Sequence, residues 1–323
     1  MGDSLSRRKF LQVSSAAAWA AGALPLNMRS AAPPARRPYR GTFCFFSKAV
    51  PQFTWQELAK STKAAGFGGV DLTVRRGGLV APERAAEDLP KAVEAIRAEG
   101  LEVPMITTGL LTADHPTAVP ILSAAQKLKI PYLKPGYYRY KFIDVRKELE
   151  EASNQFKGLV ELATKYEVQV GFHNDYNFVG SQTWDISRVM DTLDPKWAGY
   201  YFDLENATIQ GGAEGWRIAA NLAMPRLKMV GAKDFYWVKT DPECWHEIGC
   251  PLGQGMCNYK LFLRMIADAD FHGPISLHLE YSVPGASDPE GVAHSRQKCD
   301  DMMVAAKQNL ETLKALVHEA YAT

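Results

Sequence analysis

Short apolar runs alternate with longer segments of helical periodicity along most of this 323-residue chain. Short apolar runs bounded by turn residues predict buried strands, whereas apolar residues that recur every three or four positions predict amphipathic helices. The predicted strands are residues 42–46, 69–74, 103–107, 132–134, 168–173, 199–203, 228–233 and 275–280. The predicted helices are residues 55–65, 83–99, 117–128, 145–166, 186–193, 216–222, 259–269 and 294–320.

Strand–helix alternation of this kind builds a parallel sheet covered by helices. Eight predicted strands favour a closed (β/α)8 barrel over an open doubly wound sheet. The first strand is not followed by the G-x-G-x-x-G pattern of dinucleotide-binding folds. We therefore expect an α/β protein in which residues 36–323 form a single (β/α)8 TIM barrel, preceded by a separate segment, residues 1–35.

The first residues have a different character. The stretch Ser6-Arg7-Arg8-Lys9-Phe10-Leu11 precedes an alanine-rich, nearly uncharged run. A membrane-spanning helix needs about 20 apolar residues, and the run 13–26 is shorter and contains serines. Paired arginines before a short apolar segment resemble a twin-arginine export signal. The resemblance implies export by the twin-arginine machinery and a bacterial periplasmic location, with an uncleaved tether as the alternative.

Composition excludes one class of partner. The chain is 46% hydrophobic and 23% charged, with a formal net charge of +1. Nucleic-acid-binding domains carry basic residues clustered on one face, and no such run occurs here. We therefore expect no nucleic-acid partner, and composition leaves the oligomeric state open.

Ionisable residues end the last four predicted strands. In residues 275–280 the two-residue period of a strand places Ser276, His278 and Glu280 on one face. His173, Asp203 and Lys233 end the three preceding strands. The carboxyl ends of barrel strands meet at one rim, where barrel enzymes carry their chemistry.

These strand ends suggest a metal centre. His173, Asp203 and Glu280 offer an imidazole and two carboxylates, a reasonable ligand set for Mn²⁺, Zn²⁺ or Co²⁺. Such an ion polarises a carbonyl and eases removal of a neighbouring proton. Glu280, Lys233 and His173 are the predicted catalytic residues, since each can hold or move a proton.

Several motifs together resemble the xylose-isomerase-like TIM barrel superfamily, and in particular its exported sugar phosphate isomerase/epimerase-type members. The motifs are residues 69–75 (GVDLTVR), 172–174 (FHN), 202–203 (FD), 233–237 (KDFYW), 250–255 (CPLGQG) and 273–280 (GPISLHLE). The resemblance implies a carbohydrate isomerase or epimerase with a divalent metal and a small-molecule sugar substrate.

The chain departs from the pattern of the ketose-epimerase members. Those members hold their ion with Glu, Asp, His and Glu at the ends of strands five to eight. Asp203 and Glu280 match the second and fourth positions, whereas His173 stands at the first. The third position falls at Gly231, and Asn206 stands where many members have a histidine. A two-glutamate proton exchange therefore cannot operate unchanged, and Lys233 is a candidate for the missing positive charge.

A second set of residues is predicted to bind the substrate. Aromatic side chains follow several strands and suit sugar rings, whose C–H faces pack while hydroxyls hydrogen-bond at the edge. The long stretch 238–258 is a candidate lid. The predicted substrate-binding residues are Asp71, Arg75, Lys134, Tyr138, Asn174, Asn206, His278 and Trp237.

The leading hypothesis is a carbohydrate isomerase or epimerase that removes a proton beside a carbonyl with help from a metal. One alternative is a 3-keto-glycoside lyase or hydratase, which shares the first step. The other is a non-catalytic, exported sugar-binding protein, which the glycine at 231 and the asparagine at 206 favour.

Overall fold

The computed structural model describes residues 37–240 and 242–322. The predicted export signal, residues 1–35, lies outside the described residues. Among the described helices, none combines the length and the apolar character needed to cross a membrane.

The eight barrel strands lie close to their predicted positions, whereas two further strands, residues 234–239 and 245–250, were not predicted. In chain order, the strands are β1 Phe43–Phe46, β2 Gly69–Val74, β3 Glu102–Thr108, β4 Tyr132–Lys134, β5 Gln169–His173, β6 Ala198–Asp203, β7 Leu227–Ala232, β8 Asp234–Lys239, β9 Trp245–Cys250 and β10 Ile275–Leu277. The helices are α1 Trp55–Ala64, α2 Ala85–Ala98, α3 Ala118–Lys127, α4 Val145–Lys165, α5 Thr183–Met190, α6 Leu204–Ala223, α7 Tyr259–Asp268 and α8 Cys299–Ala322.

Eight of these strands form a closed parallel barrel in the order β1-β10-β7-β6-β5-β4-β3-β2. The ring closes where Phe43 of β1 pairs with Ile275 of β10. Helices follow the strands and cover the barrel, so the predicted (β/α)8 TIM barrel is confirmed. All strands of such a barrel end at the same rim, which brings distant parts of the sequence together.

The connection after β7 differs from the prediction. The expected strand 228–233 ends at Ala232, and the next residues form an antiparallel hairpin of β8 and β9. The candidate lid at 238–258 therefore includes part of an ordered two-stranded ribbon. Asp234 fixes its base, because its carboxylate accepts hydrogen bonds from the backbone N–H groups of Gly253, Gly255 and Cys257 at 3.0–3.1 Å.

Helix α6 is longer than the predicted 216–222 and begins directly after β6. Asp203 is its N-cap, a position that favours aspartate because its carboxylate accepts an otherwise unpaired backbone N–H. The side-chain Oδ1 of Asp203 accepts a hydrogen bond from the N–H of Asn206 at 2.9 Å. Gly212 interrupts the helix with φ of 61°, which places a bend in its middle.

The main apolar core lies between the barrel and its helices, where Leu58, Ile96 and Phe156 are fully buried. A second cluster, Met105, Tyr201 and Met229, fills the barrel interior. This packing closes the centre of the barrel, and the polar side chains of the interior lie nearer the carboxyl-end rim.

Candidate active site

The carboxyl ends of the barrel strands open into a cavity of about 810 Å³. Its walls come from segments after β1, β2, β4, β5 and β6, from the β8–β9 hairpin and from the segment after β10. The charged residues that line it are Lys48, Arg75, Arg139, Asp175, Glu205, Lys233, Glu247, Glu280 and Glu290. The aromatic residues that line it are Phe46, Tyr137, Tyr176 and Phe178.

A lysine ammonium lies at the centre of the charged residues. Lys233 Nζ is 2.7 Å from Glu280 Oε2, 3.5 Å from Glu205 Oε1 and 3.7 Å from Asp203 Oδ2. The Lys233 side chain is only 7% exposed. A second ammonium, Lys48 Nζ, lies 2.7 Å from Glu280 Oε1. Three carboxylates and two ammonium groups therefore share one pocket at the rim.

The side chains of Tyr259 and Asn174 hold the backbone of Lys233 and Asp203 in place. The N–H of Lys233 donates to the Tyr259 hydroxyl at 3.0 Å, and that hydroxyl donates to the Lys233 carbonyl at 2.6 Å. The N–H of Asp203 donates to Asn174 Oδ1 at 2.8 Å, and Asn174 Nδ2 donates to the Asp203 carbonyl at 2.9 Å. Asn174 is thus a positioning residue for Asp203, with both amide atoms already engaged.

The carboxylates of the cluster differ in proton affinity. Burial alone would raise the pKa of Glu280, but the charges of Lys233 and Lys48 outweigh burial and hold that pKa well below its usual range. Burial raises the pKa of Glu205 to about 8, although Lys233 opposes the rise. Two carboxyl groups whose environments push their pKa values apart are typical of an acid and base pair.

His173 lies beside Asp203 under the same cavity. Its Nε2 is 3.7 Å from Asp203 Oδ2, and neither ring nitrogen has a hydrogen-bond partner among the described atoms. Burial, reinforced by the positive charge of Lys134, lowers the pKa of His173 to about 3. The imidazole is therefore neutral around pH 7.

Further buried polar atoms at this rim have no hydrogen-bond partner within the described part of the chain. They are Asp203 Oδ2, Glu205 Oε2, Lys134 Nζ and both amide atoms of the Asn206 side chain. Most buried polar side-chain atoms in proteins are satisfied by protein or ordered water. Their concentration at one rim indicates a place where water or a ligand completes the structure.

Asp71 lies deeper in the barrel than the cavity. It is fully buried, and its carboxylate accepts hydrogen bonds from Thr107 at 2.7 Å, Ser276 at 2.9 Å and Tyr201 at 3.2 Å. The Tyr201 hydroxyl also lies 2.8 Å from Nε2 of His278. Asp71 and His278, both predicted to bind substrate, thus belong to a hydroxyl-linked layer that supports the rim from below.

Lys134 is a second buried lysine, at the end of β4. Its Nζ lies 3.3 Å from the centre of the Tyr137 ring, a cation–π contact. Burial, together with the positive charge of Arg75, lowers the pKa of Lys134 to about 7. Tyr137 itself lines the cavity, so Lys134 lies behind an aromatic wall rather than on the cavity surface.

Three predicted site residues face the cavity directly, namely Lys233, Glu280 and Arg75, whose guanidinium lies 5.8 Å from the Phe46 ring. Tyr138 does not line it, because its buried hydroxyl donates to the Leu111 carbonyl at 2.7 Å. Trp237 lies on β8 against Phe235 and also does not line the cavity. The geometry therefore gives no support for substrate contacts by these two aromatic residues.

Comparison with protein families gives an independent result. The chain matches the family model described as Xylose isomerase-like TIM barrel over residues 59–302. The chain belongs to this family. The match covers most of the described barrel and confirms the resemblance to the xylose-isomerase-like TIM barrel superfamily. No curated protein matches the chain in sequence.

Solved structures share the fold at low sequence identity. An L-ribulose 3-epimerase is 13% identical with a TM-score of 0.62, covering 87% of this chain and 96% of its own. A xylose isomerase-like TIM barrel protein of Mycobacterium smegmatis in complex with magnesium is 14% identical with a TM-score of 0.63, covering 87% and 98%. The 3-keto-D-glucoside 4-epimerase of E. coli is 12% identical with a TM-score of 0.60, covering 84% and 100%.

Two charged residues that contact Glu280 or Lys233 were not predicted from the sequence. Lys48 lies in the short 3-10 turn Ser47–Ala49 after β1, a strand end that carries no other ionisable group. Glu205 lies two residues after Asp203, in the first turn of α6. Inspecting the residues just beyond every strand end, rather than the last four strands alone, would have found both.

The predicted metal ligands of this family member surround Lys233. His173, Asp203 and Glu280 are brought to one rim, but Glu280 is ion-paired with two ammonium groups and Asp203 faces one. Within residues 37–240 and 242–322, no group of three or more His, Cys, Asp or Glu side chains is arranged to hold a metal ion. As arranged, the donor set does not fit a divalent ion, because an ammonium lies between its carboxylates.

Proposed function

We propose that this protein is a carbohydrate isomerase or epimerase that moves a proton at a carbon next to a carbonyl group. The observation that carries the proposal is the pair of carboxylates, Glu280 and Glu205, that flank the Lys233 ammonium on the wall of one cavity. This arrangement offers two proton-transfer groups and one positive charge to a single bound molecule.

The ammonium supplies the electrostatic part of the reaction. An ammonium has three N–H donors, and Lys233 places only Glu280 within ordinary hydrogen-bond distance. Lys233 therefore has donors left for a substrate oxygen. A carbonyl oxygen held there gains negative charge as the neighbouring proton leaves, and the fixed positive charge stabilises it.

The carboxylates supply the proton transfers. Glu280 takes the proton from the carbon, and Glu205, on the other flank of Lys233, returns one to the product. The neutral imidazole of His173 lies beside Asp203, with its Nε2 3.7 Å from Asp203 Oδ2. Because the donor set does not fit a divalent ion, the ammonium of Lys233 supplies the positive charge that the sequence assigned to a metal.

The shape and lining of the cavity support a carbohydrate. Aromatic rings of Phe46, Tyr137 and Phe178 lie next to charged groups, an arrangement that suits the C–H faces and hydroxyl edges of sugars. The L-ribulose 3-epimerase and the 3-keto-D-glucoside 4-epimerase show that this fold serves sugar epimerisation in other proteins. From residues 6–11 we further propose export to the periplasm by the twin-arginine machinery, so that an unphosphorylated sugar is the substrate.

Solvent exchange tests the proposal. The protein is incubated in D₂O with a panel of ketohexoses and 3-keto-glucosides, and deuterium entry beside the carbonyl is followed by NMR. We expect exchange or epimer formation with at least one sugar. Glu280→Gln should slow it by about 10²–10⁴-fold, the usual contribution of a proton-transfer group.

Glu290→Gln is the matched control, because Glu290 also lines the cavity and pairs with Lys48 but its side chain is 77% exposed. It should leave the rate nearly unchanged. Release of an aglycone from a 3-keto-glucoside without any epimer would replace the isomerase assignment with a lyase. Binding of sugars without deuterium entry across the panel would identify a binding protein instead.

A further inference from the structure

We infer that Lys233 occupies the cation position of this barrel, so that the protein works without a divalent metal and acquires a metal site when Lys233 is removed. The inference rests on the site of the proposed function and deepens it. Its test needs no substrate, so it stands or falls independently of which sugar reacts.

The first observation is where the ammonium lies. Two of the four positions that hold the ion in ketose-epimerase members are Asp203 and Glu280 in this chain. Lys233 Nζ lies within 4 Å of a carboxylate oxygen of both, and also of Glu205. A metal ion bridging these carboxylates and the lysine would place two positive centres in the same small volume.

The second observation is how firmly the lysine is placed. The Tyr259 hydroxyl forms hydrogen bonds with both the backbone N–H and the backbone carbonyl of Lys233. The carboxylate of the adjacent Asp234 accepts hydrogen bonds from three backbone N–H groups of the loop 253–257. The side chain is 7% exposed. Lys233 is therefore built into the site, unlike a surface lysine that a metal could displace.

The third observation is what remains around it. The His173 side chain is 3% exposed, and its Nε2 has no hydrogen-bond partner among the described atoms and lies 3.7 Å from Asp203 Oδ2. Asp203 Oδ2 and Glu205 Oε2 are likewise buried without a hydrogen bond. Shortening Lys233 leaves an imidazole and carboxylate oxygens around one vacated volume, a donor set suited to Mn²⁺ or Co²⁺.

The experiment compares metal binding by the purified full chain and by Lys233→Ala. Mn²⁺ binding is measured by electron paramagnetic resonance and calorimetry, and Co²⁺ binding by visible absorption. We expect no stoichiometric metal in the wild type. Lys233→Ala should bind both ions at one site per chain, at least about tenfold more tightly than the wild type, because its carboxylates are no longer neutralised.

Lys134→Ala is the matched control, since Lys134 is also a buried lysine at a strand end but has no carboxylate within 4 Å in the described structure. It should gain no metal. Adding Asp203→Asn to Lys233→Ala should abolish the new binding. Circular dichroism checks that each variant is folded, and Lys233→Ser serves if the alanine variant is not.

Wild-type protein that binds Mn²⁺ or Co²⁺ stoichiometrically at micromolar metal concentration would overturn the inference. A folded Lys233→Ala that binds neither ion would overturn it as well. If both Lys233 variants fail to fold, elemental analysis of the wild type after incubation with each ion decides the question. Absence of deuterium entry and of sugar turnover in the wild type, with the metal results as expected, would count against the proposed function alone.

Discussion

Replacing Asp71 by asparagine should change how the stability of the protein depends on pH. Burial raises the pKa of Asp71 from 3.8 to about 6, while hydrogen bonds from Thr107, Ser276 and Tyr201 limit the rise. A tenfold change in proton affinity corresponds to about 1.4 kcal/mol, so the difference between the two pKa values is worth about 3 kcal/mol.

The direction of the pH dependence follows from the protonation state of Asp71 that the folded protein prefers. The folded protein favours the protonated carboxyl, so the contribution of Asp71 to stability is fully present below about pH 4 and is lost as the pH rises through about 6. Asparagine cannot ionise, and its amide can still accept from Thr107 and donate to the hydroxyls of Ser276 and Tyr201. The free energy of unfolding of Asp71→Asn, minus that of the wild type, should therefore rise by about 3 kcal/mol as the pH is raised from 4 to 8.

Urea unfolding followed by tryptophan fluorescence at pH 4, 6 and 8 measures this difference. Subtracting the free energy of unfolding of the wild type from that of the variant at each pH cancels the contributions of the other carboxyl groups, because these titrate in both proteins. Asp88→Asn is the control, because Arg84 lowers the pKa of Asp88 and its contribution therefore changes in the opposite direction. A difference between Asp71→Asn and the wild type that stays constant with pH would refute the reasoning.

Two further predictions concern packing, and both are read from urea midpoints of the folded barrel. Gly180→Ala should destabilise by about 1–3 kcal/mol through overpacking, because its Cβ would lie 2.1 Å from Phe172 Cε1, in addition to the backbone cost of a φ of +81°. Gly77→Ala, with a similar φ of +72° but open space, should cost only the backbone part, about 1–2 kcal/mol. Phe156→Ala should destabilise the protein by about 3–5 kcal/mol because the ring is fully buried. Phe142→Ala should leave the stability almost unchanged, because that ring is 75% exposed. Equal losses of stability in both variants would contradict the packing argument.

The barrel could be predicted from sequence because its signal is repetitive. Each strand is a short apolar run and each helix has its own periodicity, so errors in one element do not change the count. The boundaries that were wrong lie where polar residues end a strand. The expected strand 228–233 ends at Ala232, and the expected strand 275–280 ends at Leu277, because the charged residues that follow leave the sheet to form the rim.

The depth of a residue in the barrel was harder to predict than its face. Asp71 shares a face with the rim residues, but it lies three residues before the end of β2, whereas Arg75 lies just beyond it. The four residues from Asp71 to Arg75 span about 13 Å along an extended strand. Asp71 therefore lies in a lower layer, bonded to hydroxyls, while Arg75 reaches the cavity.

Contacts between distant strand ends were beyond the sequence. Nothing in the chain shows that Lys233 reaches a glutamate 47 residues away rather than solvent, because that depends on the register between β7 and β10. The same holds for Lys48, which joins the cluster only because β1 and β10 are neighbours in the closed barrel. Sequence patterns identify the rim, and barrel closure decides which charges meet there.

The glycine at 231 and the lysine at 233 are two parts of one arrangement. Residue 231 faces residue 203 across the β6–β7 pair, and a Cβ at 231 would lie 3.1 Å from Asp203 Oδ2. Any side chain there would press on the oxygen that faces Lys233. Glycine removes that side chain, and the lysine two positions later, on the same face but one layer nearer the rim, brings its ammonium to the carboxylates from above. A histidine at 231 and the lysine at 233 would compete for the same oxygen of Asp203, so losing a ligand at one position and gaining a cation at the other are physically coupled.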